Sequence, residues 1–193
     1  QFSGAMFTSS WGRFVDTFFL FFYSFFALSA FLLYRLVVVD RARGRKSRFG
    51  AYFKRRVLRI IPGYWFALTA LAIWPGITGV FTGDWYVYYF FLQSYSPDTF
   101  GLGIAVAWSL CVEVAFYLTL PILATLLRRL SLGKGEYAWM RGELAAIALL
   151  GAAGYAVRVA AAEGWIPKLM ATNLPGMFTW FALGMACAVI SVA

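Results

Sequence analysis

The sequence predicts an all-α fold: a polytopic transmembrane helix bundle of about five spans, plus one aromatic segment that is interfacial or re-entrant. Three observations lead there. Of the 193 residues, 62% are hydrophobic and only 13% are charged, about half the charge of an ordinary soluble domain. Apolar runs long enough to cross a bilayer, about 20 residues, recur along the chain. The basic residues are clustered, with nine of the 17 Lys and Arg between Arg41 and Arg59, flanked by two of those runs.

The elements follow in order. Residues 14–39 form the first expected span, interrupted only by Asp16 near its start and Arg35 near its end. The second covers 60–81, with Pro62 early and Pro75–Gly76 late. Residues 84–100, DWYVYYFFLQSYSPDTF, are dense in aromatics and lack Lys and Arg, which suits an interfacial or re-entrant segment. The third span is 104–127, the fourth 144–162 and the fifth 177–193. Loop 40–59 holds nine basic residues, 82–103 none, 128–143 four and 163–176 one. The positive-inside rule therefore places 40–59 and 128–143 in the cytoplasm and 82–103 on the far side. A fully spanning 84–100 would break this alternation. The chain starts at Gln1 without Met and stops at Ala193 within an apolar run, so it reads as an internal piece of a longer single membrane domain. No signal peptide is recognisable.

The chain contains no histidine, which removes the commonest general base and metal ligand. Cys111 and Cys187 sit in apolar runs and read as packing residues, with no metal site. GLG at 101–103 and GKG at 133–135 lack the flanking pattern of a phosphate loop. Glu113 is the most informative residue. An acid in mid-span costs about 2.5 kcal/mol or more and is normally turned inward and paired. Ser109 and Tyr117, at i−4 and i+4, share its helix face. This points to a proton-handling or substrate-orienting site, or else to a structural carboxylate paired with the mid-span Arg158 or with an arginine outside these residues. The second half of the basic stretch looks helical: Arg55 and Arg59 stand at i, i+4, Arg56 and Arg59 at i, i+3, and Tyr52 sits on the side of Arg56. Converging guanidinium groups bind phosphates bidentately. Residues 41–48 need only topology and anionic lipid to explain them. Asp16 lies near the headgroup region, and Ser29 alone reads as a small packing residue.

Three segments in order, FFALSAFLLYR (25–35), YFKRRVLRIIPGYW (52–65) and WSLCVEVAFYLTLP (108–121), resemble the membrane acyltransferase-3 family, and NLPGMFTWFALGMACA (173–188) resembles a later element of it. The resemblance runs from about residue 14 to the end. It implies a polytopic O-acyltransferase, multi-pass in the bacterial inner membrane. Such an enzyme moves an acyl group, often acetyl, from acyl-CoA to a hydroxyl of a sugar or other cell-surface or small-molecule acceptor. It implies membrane lipid as surroundings, no bound cofactor and no nucleic acid. Glu113, with Ser109 and Tyr117, is implied as the catalytic group; Arg56, Arg59, Ser29 and Trp108 are implied around the acyl donor. Two departures stand out. Ala30 replaces the usual glycine, and the family's histidine, upstream of these motifs, has no counterpart here. The rival reading is a transporter or flippase of a lipid-linked or acylated substrate, which also needs an intramembrane acid and cytoplasmic arginines.

Overall fold

The computed structural model describes residues 10–45, 49–130 and 138–192, with side chains described except at 10–20, 49, 52 and 130. The side chains of Asp16 and Tyr52, and the whole of Lys46, Arg48, Lys134 and the GKG at 133–135, therefore lie outside the described residues. The described chain is helical, without strands: α1 (Ser10–Ala42), α2 (Phe49–Ile73), α3 (Trp85–Tyr89), α4 (Trp108–Leu130), α5 (Ala138–Ala162), α6 (Leu169–Thr172) and α7 (Leu174–Ile190). A single 3₁₀ turn, Ala105–Ala107, leads into α4. Five stretches are long and apolar enough to cross a membrane: Phe21–Ala42, Phe53–Ile73, Ala105–Arg129, Ala138–Ala162 and Leu169–Ile190. They fit a multi-pass integral membrane protein.

Two boundaries differ from expectation for identifiable reasons. Residues 49–59, the half of the basic stretch that reads as helical, are the first turns of α2. Lys and Arg are good helix formers, and their charge says where the bilayer begins, not where the helix does. The second span ends at Ile73, not at 81, because Pro75 cannot continue a helix and Gly76 turns into the left-handed region at φ 96°. The amides of Gly76 and Ile77 both return to the Leu71 carbonyl, closing the end. After the second basic stretch, α5 already starts at Ala138, six residues before the expected span.

α7 is the centre of the bundle. It packs along α1 and α5, and half of its span's apolar window is buried, against 17% for α2. Asn173 is extended and separates α6 from α7, and Pro175 sits in the first turn of α7, where its missing N–H costs nothing. The main core joins Phe26, Leu33, Phe116, Phe181 and Met185 from α1, α4 and α7, with Phe116 and Phe181 stacked at 4.1 Å. A smaller core joins α2, the aromatic segment and the start of α4 through Tyr64, Leu68, Phe91 and Cys111. The outer surface remains apolar: Phe66 on α2 is 77% exposed and Leu149 on α5 is 72% exposed. That is the surface a lipid solvent favours. Trp74 and Trp165, at the ends of α2 and α5 expected on the same side, are exposed as belt residues are.

The aromatic segment holds no helix long enough to cross a membrane. Only Trp85–Tyr89 is helical, and the chain then turns through Phe91 at φ 61°. It is pinned to α2: Tyr64 donates its hydroxyl to the Tyr88 carbonyl at 3.0 Å, and Trp65 its indole N–H to the Tyr89 carbonyl at 2.9 Å. Gln93 donates to the Tyr64 oxygen at 3.1 Å. Backbone that is not helical at membrane depth is tolerated where protein covers it.

Candidate functional site

Glu113 is fully buried in α4, eight residues into its span. Its Oε1 collects three donors from three helices. Tyr117, one turn on, donates its hydroxyl; Ser29 of α1 donates another; Arg56 of α2 donates Nη2–H at 3.1 Å. The same Arg56 nitrogen lies 2.8 Å from Ser29 Oγ, to which it also donates. The Arg56 guanidinium rests over the Tyr117 ring at 5.0 Å. A cation on a desolvated aromatic face gains up to about 2 kcal/mol, and charge-assisted hydrogen bonds offset the cost of holding a carboxylate away from water. Glu113 Oε2 is different: it is buried and accepts no hydrogen bond among the described residues. The carboxylate is thus clamped through one oxygen and unpartnered at the other among the described residues.

The remaining predicted residues surround this cluster at different distances. Trp108 packs its ring against Phe22 and Phe26 of α1, at centroid separations of 5.3 and 6.2 Å, walling the carboxylate's side of the bundle. Ser109 is turned to its own backbone, donating to the Val106 carbonyl at 3.0 Å, and so braces the start of α4 without joining Glu113. Arg59 is exposed and stands away from the carboxylate. With Arg55, Arg56, Phe25 and Ile60 it lines a cavity of about 540 Å³ between α1 and α2. Three guanidinium groups on one wall give this cavity a positive lining, the charge that attracts anions. Arg56 is the residue common to the cavity and the carboxylate.

Arg158, expected as a partner for Glu113, is elsewhere. It lies over the Tyr23 ring at 5.5 Å, with Nη1 3.6 Å from the Met177 sulfur. The acid that sequence reasoning missed is Glu143. It is buried on α5, accepts the Tyr34 hydroxyl, and is paired with Arg41 Nη1 at 2.5 Å. Arg41 also covers the Trp139 ring at 4.6 Å. Glu143 opens the apolar run of α5, and an acid in that position was the signal available. Its neighbours satisfy it, so it ties α1 to α5 and offers no open oxygen. Among the described residues, no group of three or more His, Cys, Asp or Glu stands together to hold a metal ion. Set against models of known protein families, curated proteins and solved structures, the chain matches none.

Proposed function

We propose that the protein is a membrane O-acyltransferase that moves an acyl group from acyl-CoA to a hydroxyl of a sugar or other cell-surface acceptor, in a bacterial inner membrane. The observation that carries this reading is the junction at Arg56, which joins a three-arginine cavity to a buried carboxylate with one oxygen unpartnered among the described residues. Coenzyme A presents a diphosphate and a further phosphate, the ligands guanidinium forks bind best. The motifs that resemble acyltransferase-3 enzymes supply Ser29, Arg56, Glu113 and Tyr117, and these four meet in space although the first and last are 88 residues apart.

In this reading the acceptor hydroxyl gives its proton to a base, and its oxygen bonds to the thioester carbonyl carbon. The C–S bond then breaks, and the departing thiolate of coenzyme A takes up a proton. The chain holds no histidine, so the base is either Glu113 through Oε2 or a group contributed from outside these residues and oriented by that oxygen. Ser29, Tyr117 and Arg56 fix the carboxylate through Oε1 and leave Oε2 for the proton or the base. Arg55, Arg56 and Arg59 hold the donor's phosphates, turning binding into positioning.

Glu113→Gln keeps the shape and removes the charge. In the intact protein in native membranes, acyl transfer from acyl-CoA should fall at least about a hundredfold, as loss of a catalytic carboxylate does, while membrane insertion and thermal stability persist. Wild-type turnover in a folded Glu113→Gln protein would refute the assignment.

A further inference from the structure

A second cavity, of about 400 Å³, lies beside Tyr117, walled by Val57, Ile61, Phe90, Val114, Leu118 and the tyrosine itself. None of its described lining residues is charged, and it shares Ile60 with the arginine cavity. Resting on the acyl-transfer reading, we propose that this cavity holds the hydrocarbon tail of the donor and that the transferred acyl group is longer than acetyl.

Three features of the site point to a tail rather than a chance gap in the packing. First, Tyr117 serves both compartments. Its hydroxyl donates to Glu113 and its ring lines the apolar cavity, so a carbonyl held at the carboxylate would have its chain directed along that ring. Second, charge is partitioned as it is in an acyl-CoA. Three arginines line one compartment, apolar side chains line the other, and Ile60 is common to both. An acetyl group would leave the second compartment without an occupant of its own. Third, the far wall is fixed. Phe90 and Phe91 belong to the pinned aromatic segment. Phe91 is buried, packs on the Tyr64 ring at 4.5 Å and holds φ 61°, a conformation a bulky residue keeps only when its surroundings impose it. A wall fixed in this way gives the chain a constant surface to pack on. The volume is within the range of ligand pockets, and each methylene buried there is worth about a fourfold gain in affinity.

The chemistry is unchanged by chain length: the acceptor oxygen bonds to the carbonyl carbon, the C–S bond breaks, and coenzyme A leaves as the thiol. Release of that thiol is the readout. Native membranes carrying the intact protein are supplied with acetyl-, butanoyl-, octanoyl- or hexadecanoyl-CoA, and kcat/KM is measured for each. The wild type should favour octanoyl over acetyl at least tenfold. Val114→Trp, which fills the cavity, should lower the octanoyl-to-acetyl ratio at least tenfold. Ile61→Ala, which widens it, should move the optimum to a longer chain. Because each result is a ratio within one variant, a general loss of folded protein does not imitate it. Preference for acetyl-CoA, with a chain-length profile unmoved by both variants, would mean that the cavity holds only bilayer lipid; the inference then falls while acyl transfer stands. Thiol release from none of the donors overturns both.

Discussion

Arg56 makes three kinds of contact at once: an ion pair with Glu113, a hydrogen bond to Ser29 and a face contact with Tyr117, while also lining the cationic cavity. Lysine keeps the charge but lacks the planar fork and stacks poorly. Arg56→Lys should therefore raise KM for acyl-CoA and lower kcat together, with kcat/KM down about tenfold or more, the size of one charged hydrogen bond. Arg59 faces only the cavity. Arg59→Ala should act mainly on KM, and steady-state kinetics of the two variants side by side checks the contrast; an unchanged KM in Arg59→Ala would leave that arginine a topology signal only. At this scale local spacing was legible for Tyr117 but not for Ser109, whose hydroxyl turns to its own backbone. Glu113 and Tyr117 are one turn apart, and their pairing follows from helix geometry. Ser29 and Arg56 stand 84 and 57 residues from Glu113, a separation that residue chemistry alone does not bridge. The motif resemblance suggested them together, whereas residue chemistry proposed Arg158 as the partner, a cation at similar depth that the bundle places beside Tyr23 instead.

Among the elements, α7 sets the packing. A Cβ built on Gly184 would lie 2.0 Å from the Ala27 carbonyl oxygen, a backbone atom that side-chain motion cannot move aside. Gly184 and Ala188, four apart, form the small-residue seam that lets α1 and α7 approach closely. Gly63 in α2 has nothing within 4 Å of such a Cβ. Gly184→Val should lower stability in detergent by about 1–3 kcal/mol, the usual cost of overpacking, whereas Gly63→Ala should be neutral or slightly stabilising. Thermal unfolding of the two variants measures the difference. The apolar runs announced the helices themselves, but their ends depended on details hydropathy does not carry. The basic turns of α2 are helical, and the aromatic segment is held by hydrogen bonds from Tyr64 and Trp65 that only the folded arrangement creates.

For the molecule as a whole, the alternation of basic loops with uncharged ones predicts orientation. With Cys111 and Cys187 replaced by alanine, a cysteine at exposed Asp98 should react with an impermeant maleimide from outside the cell, and one at exposed Arg45 only after permeabilisation. The reverse pattern would invert the topology. The two buried acid clusters also carry a message about how such a chain is made. Every helix-to-helix donor precedes its acid in the chain: Ser29 and Arg56 come before Glu113, and Tyr34 and Arg41 before Glu143. Synthesis runs from the N-terminus. The hydroxyls are cheap to leave waiting in lipid, and the arginines, near the ends of their spans, reach toward headgroups through long stems. The carboxylates, costly when unpaired in a bilayer, emerge last, when their partners are already in place. The order of residues along the chain thus doubles as an insertion schedule, and circularly permuting the gene so that α4 and α5 precede α1 would expose each acid to the membrane before its partners exist.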